Sequence, residues 1–470
     1  MSTFKDYLVH FFKGTDKLLV LFCMLASGFG ILSVYSATMR LTNNYLLGMP
    51  RDATIMILAV VVGFIIATII SLVDYDIICK LWPIWAALGV GLMVVVILFG
   101  VAVSTGREDA RIWINLGLFY FQPSELVKVF FIITFSVHLD KVRYELNKIR
   151  NLVPLLLHAL IPFVLVHISG DDGSAIIFLM IAFIMLFVAG LNWKYIVGAI
   201  ALVAAAIPLL WTNMSEFQKQ RFVVLWDPAA YPQTAYQQTL GLSAIANGGL
   251  IGKGLFHGTY TQSGSIPVAE SDMIFTVICE ELGLIGGLVA LAILVAIMSR
   301  IIRDGNQSIA GPAHPLCYGI ASMVGIQTLI NIAMCLRIGP VIGITLPFFS
   351  AGGSSTLCLY AGIGLILSVY RSNYNQTKET NFRLIGIRSP FNEELGTSVV
   401  YDQKQAAAKE QKANSKAIRK QAKAKEKAAK KEQAYQPQHA KGQMHSRTYY
   451  KDHPQPTLGN QKNSKRSKRK

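Results

Sequence analysis

Charge is scarce in this chain of 470 residues: only 15% are Asp, Glu, Lys or Arg, while 53% are hydrophobic. A soluble domain of this length seldom has so little polar surface to offer. Cysteine is sparse too. Cys23, Cys79, Cys279, Cys317, Cys335 and Cys358 form no close pair, which excludes a disulfide scaffold or a Cys-based zinc motif and leaves them as small apolar packing residues. The nine histidines show no metal-ligand spacing; His158 and His167, in or near an apolar run, read as satisfied interior residues. Asn247-Gly248-Gly249-Leu250-Ile251-Gly252-Lys253-Gly254 has glycines for tight turns but lacks the Gly-x4-Gly-Lys-Ser/Thr spacing of a phosphate-binding loop.

What remains is hydrophobicity in long runs. Stretches near the roughly 20 residues that cross a bilayer begin at Leu18 to Thr38, Thr54 to Val73, Ile77 to Val103 and Pro123 to His138. They continue at Leu152 to Ile168, Ser174 to Gly190, Trp193 to Trp211, Met273 to Met298, Leu316 to Leu336 and Gly352 to Tyr370. This predicts an all-α polytopic membrane protein of about ten helices. The fourth run is the weakest by hydropathy because it holds Glu125 and Lys128.

Lys and Arg concentrate in cytoplasmic loops. Lys5, Lys13 and Lys17, then Lys141, Arg143, Lys148 and Arg150, then Arg300 and Arg303 all fall on one side if there are ten spans. Both termini are then cytoplasmic, and the first span reads as a retained helix rather than a cleaved signal. The net charge of +17 sits almost wholly at the end: residues 371–470 carry 24 Lys and Arg against 8 Asp and Glu, and the residues before them 20 against 19. That division suggests a membrane domain over 1–371 and a basic, largely disordered tail over 372–470. A polybasic segment beside a bilayer is drawn to anionic lipid, so the charge does not argue for nucleic acid.

Two segments on the other side are long. Ser104 to Gln122 is rich in Arg, aromatics and Gly, and Asn213 to Asp272 covers 60 residues, far more than a connection needs. The second ends in Ser265-Ile266-Pro267-Val268-Ala269-Glu270-Ser271-Asp272. Asp272 stands where polar sequence turns into an apolar helix. A carboxylate there suits the helix start as an N-cap, and low-dielectric surroundings raise its proton affinity toward the range of a general base; one residue can serve both ends.

Three other clusters carry chemistry. Glu125 and Lys128 are three apart on one helical face and can pair, either as a structural ion pair or with Lys128 holding an anionic group that Glu125 positions. Asp171 and Asp172 open the sixth span as caps, and could help hold a divalent cation, although the sequence supplies no remaining ligands and fixes no cofactor. Gly339 to Ser355, with two prolines, four glycines and three serines at a membrane boundary, implies irregular backbone lining a cavity or re-entering the membrane.

These residues resemble the SEDS family (shape, elongation, division and sporulation) of RodA- and FtsW-type cell-wall polymerases, over roughly residues 15 to 371. The resemblance rests on Phe121-Gln122-Pro123-Ser124-Glu125 with Lys128, on Asp272-Met273-Ile274-Phe275 leading to Glu280-Glu281-Leu282-Gly283, and on Leu346-Pro347-Phe348 with Ser350 and Gly352-Gly353-Ser354-Ser355. It implies a ten-helix fold in the bacterial cytoplasmic membrane, polymerisation of lipid II at the outer face, and a class B penicillin-binding transpeptidase as partner. It matches the family's required acid to Asp272, its fourth-span pair to Glu125 and Lys128, and its loop Arg to Arg221. Gln238, Ser350, Gly352, Gly353, Ser354 and Ser355 join these as expected substrate contacts. The chain departs from the pattern at Ile112 before Trp113, with Arg111 one place early, at Leu240 where a second Gln is usual, and at Thr345 before Leu346-Pro347. The last leans toward the FtsW type without separating elongation, division and sporulation branches.

The chemistry implied is single displacement: Asp272 takes the acceptor hydroxyl proton, polyprenyl diphosphate leaves, and the anomeric centre inverts without an enzyme nucleophile. Lys128, Arg221 or a divalent cation would meet the leaving charge. Many helices and intramembrane charges suit a flippase for the lipid-linked precursor as well, and a scaffold without chemistry is a third reading.

Overall fold

The computed structural model describes residues 14–40, 45–102, 110–117, 120–308 and 311–384, with side chains through 375. The basic tail lies outside them, apart from the end of the last helix.

The described residues are mostly helical. α1 (Lys17–Thr38) is followed by a small hairpin, β1 (Tyr45–Leu46) and β2 (Met49–Pro50), turned by Leu47 and Gly48 at positive φ as a two-residue hairpin requires. Then come α2 (Arg51–Leu72), the short α3 (Tyr75–Lys80), α4 (Trp82–Phe99), a second hairpin of β3 (Ile114–Asn115) and β4 (Tyr120–Phe121), and α5 (Pro123–Val142). α6 (Ile149–Ile168), α7 (Asp172–Val188) and α8 (Trp193–Asn213) precede three shorter helices, α9 (Glu216–Val223), α10 (Pro232–Gly248) and α11 (Thr259–Gln262). α12 (Ile274–Asn306), α13 (Ala313–Cys335) and α14 (Gly353–Leu384) complete the described residues.

Eight of these helices are long and apolar enough to cross a membrane; α7, apolar but 17 residues long, and α5, which carries Glu125 and Lys128, correspond to the other two expected spans. The chain is a multi-pass membrane protein. Its middle is formed by α13 and α14, whose spanning windows are 67% and 72% buried, while α8 at 6% stands at the periphery. Where sequence predicted a single span from Ile77, the helix breaks at Leu81 and restarts at Trp82, with Pro83 in the first turn, a position where its missing donor costs nothing. The last helix runs on to Leu384, past the expected domain edge at Arg371.

α12 also departs from a simple span. Gly283 has φ +70°, and a Cβ there would lie 2.3 Å from the Leu250 carbonyl. The helix is therefore two pieces: Ile274 to Leu282, then a membrane-length stretch to Asn306. Freed backbone at the break is taken up by the loop after α10, through Lys253 N–H to Glu280 O, Gly254 N–H to Glu281 O and Leu284 N–H to Gly249 O, at 2.9–3.0 Å. The long segment before Asp272 is thus no open loop but three helices fastened to this break.

α1 is fixed to α12 at both ends. Arg300 donates twice to Asp16 Oδ2, at 2.8 and 2.9 Å, and Ser36 Oγ donates to Glu281 at 2.6 Å. All six cysteines are buried and free, as packing residues should be.

Candidate active site

Asp272 sits at the Ser36 end of the bundle. The expected cap is not there: α12 begins at Ile274, its N-cap position is Met273, and no side chain caps it. A tight turn explains this. Val268 takes positive φ and its carbonyl accepts from Ser271 and Met273, so the Asp272 side chain points away from the helix N–H groups. The carboxylate stands against Gly343, where a Cβ would lie 3.6 Å from Oδ2, and accepts from Ser271 Oγ at 3.1 Å.

Three successive carbonyls hold the main chain here. Glu270 O accepts from Ala351 N–H at 2.8 Å, Ser271 O from Ser350 Oγ at 2.6 Å, and Asp272 O from Asn331 Nδ2 at 2.8 Å. Burial pushes the Asp272 carboxyl above the usual aspartate range, while the Ser271 hydrogen bond and the charge of Arg221 pull it back. Glu270 is also raised, by burial and then by Asp52 and Asp272 despite a backbone hydrogen bond. Arg221 occupies the last turn of α9, with its guanidinium 4.3 Å from the centre of the Phe217 ring.

Glu125 and Lys128 pair as their spacing predicted, Nζ to Oε1 at 2.7 Å. Lys128 is fully enclosed, whereas Glu125 lines a cavity with Gln327, Thr345, Leu346, Ser350 and Ser355. It is Glu125, backed by Lys128, that faces the cavity, the reverse of the arrangement in which the Lys makes the outward contact. The cavity admits a water-sized sphere over about 10 Å³, room for about one water. The irregular segment 339–352 runs between this cavity and Asp272, as its composition suggested. Phe348 takes positive φ, and the Phe348–Phe349 backbone approaches α1 so closely that a Cβ at Gly30 would meet the Phe348 oxygen at 2.5 Å.

The other expected contacts divide. Ser350 is 3% exposed and committed on both sides, accepting from Leu346 N–H at 2.8 Å while donating to Ser271 O. Gln238 is fully buried, its amide donating to the Met334 and Gly339 carbonyls at 3.0 and 2.7 Å. In this arrangement Gln238 braces the site from behind, and Ser350 braces it from the cavity wall. Gly353, Ser354 and Ser355 form the first turn of α14 beside Gly352, whose carbonyl accepts from Ser355 Oγ at 3.2 Å; Ser355 reaches the cavity and Ser354 is buried.

Asp171 and Asp172 are both engaged. Asp171 accepts from Ser174 N–H at 2.9 Å as a cap, and from Gln122 Nε2 and Ser124 Oγ at 2.7 and 3.2 Å, which ties α7 to the start of α5. Asp172 accepts from Gln218 Nε2 and lies 2.7 Å from His167 Nδ1. Among the described residues no three His, Cys, Asp or Glu come together as metal ligands.

Sequence reasoning left Glu280 and Glu281 without a role. Both are buried, at 0% and 1% exposed. Glu280 accepts from Asn247 Nδ2, Tyr260 N–H, and Thr261 N–H and Oγ1, at 2.7–3.1 Å. Glu281 accepts from Ser36 Oγ and Gln262 Nε2. Two carboxylates among apolar neighbours, answered by several donors, bind the outer helices to α12.

The family model for FtsW, RodA and SpoVE cell cycle proteins matches residues 16–375. The chain belongs to the SEDS family. Its similarity to the peptidoglycan glycosyltransferase MrdB of Escherichia coli K12 is 35% identity over 287 residues, covering 59% of this chain and 75% of that protein. To a probable peptidoglycan glycosyltransferase FtsW of Coxiella burnetii it is 32% over 365 residues, covering 75% and 95%. Among solved structures, a chain from a peptidoglycan synthase complex that coordinates polymerization and crosslinking aligns with TM-score 0.65 and 25% identity, over 77% of this chain and 98% of that one. Thermus thermophilus RodA shares the fold with TM-score 0.56 at 23% identity, over the same shares of the two chains. This SEDS chain thus resembles proteins of both the MrdB and FtsW types.

Proposed function

We propose that this chain is a peptidoglycan glycosyltransferase that polymerises lipid II at the outer face of the bacterial cytoplasmic membrane, for elongation or division. The MrdB and FtsW relatives carry that activity in their names. The observation that supports the mechanism is an uncapped carboxylate with raised proton affinity, fixed through its main chain at the end of the long outer segment. Asp272 takes the proton from the acceptor sugar hydroxyl as that oxygen attacks the anomeric carbon of the growing strand. Polyprenyl diphosphate leaves and the centre inverts, which needs one base and no enzyme nucleophile. Arg221 lies close enough for its charge to act on Asp272 and meets the diphosphate. Glu125, set by Lys128, lines a water-sized cavity with Ser355 beside the substrate site, and the first turn of α14 offers N–H groups to an anion. Gln238, Ser350 and Gly352 keep these elements in place.

Both termini are cytoplasmic on this reading. A class B penicillin-binding transpeptidase is the partner, a reading supported by the likeness to a chain of a peptidoglycan synthase complex that coordinates polymerization and crosslinking, and the basic tail meets anionic lipid. The test is purified full-length protein carrying Asp272→Asn. It is expected to bind lipid II yet form no glycan, and normal polymer from it would overturn the assignment. Transfer of labelled lipid across vesicles by the wild type, without polymer, would favour a flippase instead.

A further inference from the structure

The amide of Asn331 joins two segments that carry different parts of the site. Asn331 is fully buried in α13, and both its amide hydrogens are used: Nδ2 donates to Asp272 O at 2.8 Å and to Ile344 O at 2.7 Å. Its Oδ1 lies 3.9 Å from Cys335 Sγ. A buried amide is costly unless paired, and this one is paired with backbone carbonyls outside any helix.

The position of Asp272 depends on such bonds because its side chain caps nothing. Of the donors to carbonyls 270–272, Ala351 and Ser350 lie in one irregular segment and would move with it. Asn331, with a longer contact from Cys335 Sγ one turn later at 3.8 Å, refers Asp272 to a regular helix. One turn earlier on the same face of α13, Gln327 lines the Glu125 cavity, together with Thr345, the neighbour of Ile344.

We propose that Asn331 is a positioning residue, setting where the Asp272 carboxylate stands relative to the cavity of Glu125 and Lys128. The proposal deepens the assignment of Asp272 as base and rests on it. Asn331→Gln keeps the donors but moves them by about one methylene, and misplacements on the order of 1 Å cost reactions about 10²-fold. Full-length Asn331→Gln is expected to lose about 10²-fold in kcat with KM for lipid II changed less than about threefold. Asn331→Asp, which turns a carboxylate toward two carbonyls and toward Asp272, is expected to move the acid limb of the pH–rate profile upward as well.

Each variant is first scored for a monodisperse, detergent-solubilised species. If Gln fails there, Asn331→Ser, which removes the amide without adding bulk, is judged in its place by the same kcat and KM. Loss of the fold in both, or a fall in kcat accompanied by a comparable rise in KM, would mean a purely structural role and overturn the proposal. So would wild-type kcat from a folded Gln variant. Asp272→Asn runs alongside: polymer from it removes the base and this proposal together, whereas silent Asp272→Asn with fully active Asn331→Gln removes only the role of Asn331.

Discussion

At Asp272 the cost of burying a carboxylate is opposed by one hydrogen bond from Ser271 and by the positive charge of Arg221. The folded protein therefore holds this proton to higher pH than the unfolded chain does. Ionising the group costs stability that is lost progressively as pH rises from the ordinary aspartate value of 3.8 through the raised one. If Asp272 is the base proposed above, activity needs its ionised form and grows over the same window. Arg221→Gln removes the charge that lowers this pKa, so the acid limb of kcat/KM is expected to shift to higher pH; polymer yield across a pH series in both proteins checks it, and an unmoved limb would confine Arg221 to the substrate. At this scale the sequence disclosed the acid and its charged companions, because ionisable residues among apolar ones are conspicuous. It could not disclose that the cap position falls on Met273 and not on Asp272, nor that Asn331 reaches across 59 positions to the Asp272 carbonyl. An Asn in an apolar helix reads the same whether it faces a neighbour or a catalytic turn.

The elements show where hydropathy runs out. Apolar runs located the spans, but Gly283 sits inside one of them with no local sign that backbone from the α10–α11 connection closes the gap. The buried carboxylates Glu280 and Glu281, just before that break, give a measurable consequence. In Glu280→Gln an amide NH2 replaces an acceptor facing Asn247, Tyr260 and Thr261, leaving buried donors unmet at about 1–3 kcal/mol. Glu216→Gln is the control, since its carboxylate is 75% exposed and paired with Lys219 on the surface. Thermal unfolding of the detergent-solubilised chain is expected to fall clearly for the first and stay within a degree or so for the second. Equal shifts would show that the Glu280 contacts carry no weight.

For the whole molecule, the contrast between a nearly neutral body and a basic tail was plain from charge alone. The edge between them was less so, because the last helix continues to Leu384 through sequence that is no longer apolar. A truncation that respects the helix removes residues 386–470. The shortened protein is expected to polymerise lipid II at near the full rate while losing affinity for vesicles of anionic lipid, measured by flotation; loss of polymerisation in the purified truncation would give the tail a part in catalysis. The attachment of α1 at both ends has a further consequence. Between Asp16 and Ser36 lie about 20 residues of helix, about 30 Å at 1.5 Å per residue, the same as the roughly 30 Å hydrocarbon core. With Arg300 gripping one end and Glu281 the other, α1 is a ruler cut to the bilayer. A single inserted residue between its marks would swing one of them about 100° away from its partner, so the length of this helix is fixed by its two ends.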